Sequence, residues 1–233
     1  MEIHKPKPIH NWREFLKEYA IIVLGVLTAL AAEQAVEWLH WQSEVPAARD
    51  SIQAEITDNN TRLFARRVAF VPCIDRQIRE ADRILSDLEA GRKPASFTVF
   101  HPGSGNALSD SEWQSERAAQ ALTHLPRSEL ALMSLYYSTL DDVRGFLRAE
   151  GDAWAELSVL TNPPKAIGVS DLLRLRVALH TAQEDESLLV RNAQRELNRS
   201  RRLGIVTRPA DPLVVRRFCT LNEADFRSFE PRD

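Results

Sequence analysis

Apolar residues run without a break over thirteen positions from Ala20 to Ala32, AIIVLGVLTALAA, where nothing is more polar than Thr28. As a helix this stretch rises only about 20 Å, short of the roughly 30 Å hydrocarbon core of a bilayer. Phe15 and Leu16 before it, and Ala35, Val36 and Leu39 after it, extend the apolar helix to the required length. Lys17 can then snorkel to one headgroup layer while Glu33 and Glu37 lie near the other. Trp12 and Tyr19 stand at one end, Trp38 and Trp41 at the other. Trp12 and Trp38 are 26 residues apart, about 39 Å of helix, which is the spacing an interfacial aromatic belt requires.

Beyond this run helical spacing dominates. Ile52, Ile56, Leu63, Phe70, Ile74, Ile78, Ala81, Leu85 and Leu88 follow one another at steps of three, four or seven. That seam passes through Pro72, which predicts a kink or a fresh helix with the proline in its first turn; Pro46 poses the same choice. Asp58-Asn59-Asn60-Thr61 interrupts the stripe and reads as an exposed polar turn, with a buried register-fixing Asn as the alternative. Residues 91–110, GRKPASFTVFHPGSGNALSD, form the clearest loop, with a short strand expected at Phe97–Phe100. Ser109 and Glu112 have the form of a capping box that opens a short helix to about His124.

Pro126 suits the start of a longer helix in which Met133, Leu140, Leu147 and Trp154 fall at strict sevens, with Leu130 and Tyr137 on the alternate seam. Asn162-Pro163-Pro164 stops it. Ser170 can cap the last long helix, whose buried face is Leu172, Leu175, Leu179, Ala182, Leu189, Ala193 and Leu197, and Gly204 closes it. The expected fold class is therefore all-α: a transmembrane helix continuing into a long-helix antiparallel bundle. The expected organisation is a cytoplasmic stub at 1–18, the membrane helix and its boundary at 19–41, an extracytoplasmic bundle at 42–204 with its loop at 91–109, and an irregular tail at 205–233. Within that tail only Leu213-Val214-Val215 suggests a short strand.

Three readings of the apolar run compete. Ala29-Leu30-Ala31 fits a small-x-small cleavage site, which would make residues 1–31 a signal peptide. Against cleavage, the preceding region carries Glu2, Glu14 and Glu18 and helical periodicity continues past the cut. A buried soluble helix needs an enclosing apolar partner that nothing else in the chain supplies. An uncleaved anchor meets neither objection. Residues 1–19 carry Lys5, Lys7, Arg13 and Lys17, whereas residues 33–60 carry Arg49 against six acids, so the positive-inside rule puts the N-terminus in the cytoplasm.

The segment WREFLKEYAIIVLGVLTALAAEQAVEW resembles the N-terminal signature of a group of uncharacterised single-pass inner-membrane proteins of Gram-negative bacteria, with an EYxxIVLGVLxALxAEQ-type anchor helix. The likeness is strong over residues 12–60; beyond it, a late Leu203-Gly204-Ile205 recurs. It implies an inner (cytoplasmic) membrane anchor with the larger part periplasmic, and carries no activity, cofactor or catalytic residue.

Composition alters this picture little. The net charge of −3 gives no electrostatic case for a nucleic-acid partner. Six histidines are scattered without metal-ligand spacing, and no GxSxG, SxxK or P-loop is present, so no metal, cofactor or catalytic residue is assigned and the chain leans away from being an enzyme. Three features stand as candidate sites. Arg191, Arg195, Arg199 and Arg202 share one helix face, either an anion- or partner-binding row or a solvated face paired with neighbouring acids. Gly25 and Ala29 form a small-xxx-small pair for helix–helix contact in the membrane. Cys73 and Cys219 can form one disulfide in an oxidising compartment. Membrane, a protein partner or a second copy are the expected partners. The function classes that remain are an envelope scaffold, a small-molecule sensory module acting through a partner, and an envelope enzyme.

Overall fold

The computed structural model describes residues 12–94, 108–162 and 167–220. Among these, every regular element is helical and no strand occurs: α1 Trp12–Asn59, a π-helical turn Asn60–Phe64, α2 Ala65–Glu89, α3 Ser111–Ala118, a 3-10 turn Ala121–His124, α4 Arg127–Leu157, a 3-10 turn Ser158–Thr161, α5 Val169–Arg202 and α6 Pro212–Thr220. The chain is all-α. The strand expected at Phe97–Phe100 lies outside the described residues.

From Trp12 to Glu89 the backbone is one unbroken helix of 78 residues, about 117 Å long. Its N-terminal part stands clear of everything else: no residue in its most apolar window is buried, and it is long and apolar enough to cross a membrane. Trp12, Phe15 and Tyr19 stack in sequence along one side, with centroid separations of 5.8 and 6.2 Å. At Trp41 the helix meets the described part of the bundle, the indole stacking on His124 at 4.0 Å; Val45 is then partly covered and Ala48 is buried. Trp12 to Trp41 is about 44 Å of helix, the thickness of a bilayer with its interfaces.

The bundle is built from α1–α2, α4 and α5. Glu55 and Arg67 meet α4 at Tyr137 and Glu150 in rising order, so α4 runs parallel to the long helix. Asn60 meets Ser200 while Arg67 meets Glu186, so α5 runs back. The predicted seams face inward: Met133, Leu140, Leu147 and Trp154 of α4 are buried, as are Leu175, Leu179, Ala182, Leu189 and Ala193 of α5. They form two separate apolar cores. The one nearer the free-standing helix gathers Ile52, Ile56, Phe64, Met133, Tyr136, Leu140, Leu147 and Leu189. The far one gathers Phe70, Ile74, Ile78, Leu85, Ala153, Trp154, Leu179 and Ala182.

Several local expectations are corrected. The Asp58–Thr61 stretch is no exposed turn: Asn59 and Asn60 are buried inside the helix at 3% and 0% exposure. The π turn that follows widens the helix by one residue, so that the adjacent pairs Asn59–Asn60 and Leu63–Phe64 all reach the core. Pro46 and Pro72 begin no new helix; both are exposed on the solvent side, where a carbonyl deprived of its donor can be hydrated. Ser109 is not the cap of α3. That position belongs to Asp110, and the Ser109 hydroxyl instead donates to Glu55. At the start of α5, Gly168 takes the capping position and Ser170 lies in the first turn.

Within the tail, the stretch expected as a short strand is helical instead. Asp211 accepts from the Leu213 amide at 2.8 Å, Pro212 takes the first helical position, and α6 forms where a strand was expected. It lies against α2, with Phe218 stacked on Phe70 at 3.7 Å and Cys219 joined to Cys73 by a disulfide. Gly204, at φ +79°, ends α5, and the Ile205 amide reaches the Ser200 carbonyl, which closes the last turn.

Candidate functional site

Two of the buried ionic clusters are built on opposite principles. Around Glu55, every lone pair has a donor. One oxygen accepts from the Ser109 hydroxyl (2.6 Å), the Ser111 hydroxyl (3.1 Å) and the Glu112 amide (3.0 Å). The other accepts from the Tyr137 hydroxyl (2.8 Å) and the Trp113 amide (3.3 Å). Glu55 thus sits at the N-terminus of α3, where exposed amides and the helix dipole favour a carboxylate. Burial pushes its pKa up, but the donors from Ser109, Glu112, Tyr137 and Trp113 outweigh this and hold it below the ordinary value. Beside it the Asn59 side chain pairs with the backbone of Ser109 in both directions, at 2.7 and 2.9 Å. Together they fix the chain that returns from the far end of the molecule.

The second cluster lies between the two apolar cores. Arg67 of α2, Glu150 of α4 and Asp185 and Glu186 of α5 are 4%, 3%, 7% and 4% exposed. Glu150 and Glu186 both accept from the same guanidinium nitrogen, Nη2 of Arg67. Three further polar atoms of the cluster are starved: Arg67 Nε, Asp185 Oδ2 and Glu186 Oε1 are buried without a hydrogen-bond partner. Burial pushes the Glu186 pKa up to about 7; Arg67 pulls it down and Glu150 pushes it further up. Burial, Glu150 and Glu184 also raise that of Asp185.

A third, neutral set joins the π turn to the rest: Asn60 donates to the Ser200 hydroxyl (2.9 Å) and the Thr207 hydroxyl (3.0 Å), and accepts from Tyr136 (3.1 Å).

The candidate arginines are not placed alike. Arg191, Arg195 and Arg202 are exposed, whereas Arg199 folds inward, donating to the Leu135 carbonyl at 2.9 Å and pairing with buried Glu196. Gly25 and Ala29 lie on the free-standing helix, and a Cβ at Gly25 would meet nothing within 4 Å. Cys73 and Cys219, with Cα atoms 5.3 Å apart, tie α6 to α2 across 146 residues.

Neither ionic cluster was found from the sequence, although a signal was present. Arg67 lies three residues from Phe64 and Phe70, Glu150 three from Leu147 and Ala153, and Glu186 four from Ala182 and three from Leu189. All three occupy the apolar seam. Among the described residues no group of His, Cys, Asp and Glu side chains is arranged to hold a metal ion. Comparison with protein-family models, curated proteins and solved structures finds no match for this chain.

Proposed function

We propose that this protein is a single-pass, membrane-anchored helical component of a bacterial cell envelope, with its N-terminus in the cytoplasm and its bundle in the periplasm, where it serves as a structural or interaction element. One observation carries the reading: a bare apolar helix of bilayer length runs without interruption into the bundle and becomes one of its helices. A soluble core helix would be covered, and this one is exposed along its whole apolar window. The disulfide supports an oxidising compartment for the bundle. The basic residues before the apolar run support the orientation.

A periplasmic reporter fused after Asp233 is expected to be active, and a cytoplasmic reporter at that position silent; the reverse result removes the topology. Crosslinking in native membranes is expected to recover a protein partner besides the chain itself. A second reading, a sensory module acting through a partner, is favoured by the starved ionic layer in the bundle, whose Arg67 lies on the same continuous helix as the anchor.

A further inference from the structure

We propose that the layer formed by Arg67, Glu150, Asp185 and Glu186 is a proton-binding site whose occupancy sets how the two apolar cores of the bundle sit on one another. The inference concerns the bundle itself and does not depend on the membrane reading.

The argument begins with charge. The layer holds three buried carboxylates and one guanidinium, which pairs with two of them; this leaves two uncompensated negative charges if all are ionised. Glu150 and Glu186 accept from one nitrogen, so two buried carboxylates divide a single cationic donor between them. Two further charged groups act on the layer from the packed helices, Asp75 on α2, two turns from Arg67, and Glu184 on α5, and both are acidic.

Hydrogen bonding points the same way. Glu186 Oε1 and Asp185 Oδ2 are buried acceptors with no donor. A proton taken from water onto one of these oxygens removes one negative charge and turns that acceptor into a donor. The raised pKa of Glu186 puts this exchange within reach of ordinary environmental pH.

Position gives the exchange a consequence. On each of the three helices the layer divides the cores: Phe64 from Phe70 around Arg67, Leu147 from Ala153 around Glu150, and Leu189 from Ala182 around Glu186. When the proton returns to water, two carboxylates repel across one nitrogen and the layer must open or admit water. The near core, the π turn and the helix below them then lose their fixed relation to the far core.

The test uses the full chain in detergent micelles with carbon-13 labelled Glu and Asp. A carboxyl resonance titrating near neutral pH is expected in the wild type and absent from Glu186→Gln. Hydrogen exchange of amides 64–70 and 182–189, corrected for intrinsic rate, is expected to rise several-fold from pH 5.5 to pH 8 in the wild type and to stay flat in Glu186→Gln. The proposal is overturned if every Glu and Asp carboxyl of the wild type titrates below pH 5, or if the exchange change persists in the variant. Should Glu186→Gln not fold, the wild-type titration alone decides.

Discussion

Glu55 and Glu186 are both glutamates buried in the same bundle, and they have opposite relations to the fold. Glu55 is met by five donors, two of them backbone amides at the start of α3. Glu186 shares one guanidinium nitrogen with a second carboxylate and keeps one oxygen bare. Burial raises the pKa of both, and only at Glu55 do the donors win. The lesson is that depth does not decide whether a buried charge stabilises a protein; the ratio of donors to acceptors does. Glu55 organises a connection, whereas the Arg67 layer divides a core.

The comparison is broken most severely at Arg67. Arg67→Met leaves three carboxylates buried with no counter-charge and is expected to cost about 4 kcal/mol at pH 7.5, measured by urea unfolding in micelles, with part of the loss recovered at pH 5.5. A loss under about 1 kcal/mol would mean that water already reaches the layer. Next is Glu55→Ala, which orphans the Tyr137 hydroxyl and the amides of Glu112 and Trp113; about 3 kcal/mol is expected, together with faster exchange at residues 109–118.

pH sharpens the contrast because the signs differ. The folded pKa of Glu55 lies below its ordinary 4.5, so its contribution is present above that value and is lost as pH falls through the lowered one. Glu186 is raised from 4.5 to about 7, so the folded state binds the extra proton. Its contribution is full below 4.5 and declines as pH rises through about 7, by at most about 3 kcal/mol. Glu186→Gln is expected to remove this decline between pH 5 and 8, while Glu55→Gln is expected to blunt the loss at acid pH. Unfolding curves across pH 3–8 for both variants test the pair; parallel wild-type and Glu186→Gln profiles would refute the contrast.

Smaller effects lie outside both clusters. Cys219→Ser is expected to cost about 2 kcal/mol and to release α6 while the two cores stay protected from exchange, since α6 buries no residue fully. Arg191→Ala, on an exposed face, is expected to change stability by less than about 0.5 kcal/mol.

The seams of α2, α4 and α5 were legible in the sequence because a helix buries residues at three- and four-residue spacing whatever it packs against. The charged residues in those seams were equally visible as letters. Arg67, Glu150 and Glu186 interrupt three separate stripes, and nothing local says that the interruptions fall at one level. The same holds for Asn59 and Asn60, which read as turn residues until the π turn carried both inward. The tail misled for a different reason: Val214 and Val215 favour a strand by local propensity, and packing against α2 with a disulfide overrode it.

By itself, then, the sequence determined the helical class, the long apolar entry helix and most of the buried faces, all of which follow from periodicity and length along one chain. Tertiary structure alone decided which charges meet. Register between helices 80 to 120 residues apart brought Arg67 to Glu150 and Glu186, and the return of the chain at Leu108 brought α3 onto Glu55. Electrostatic energy depends on distances in space, and the spacing of letters along a helix fixes those distances only within that helix.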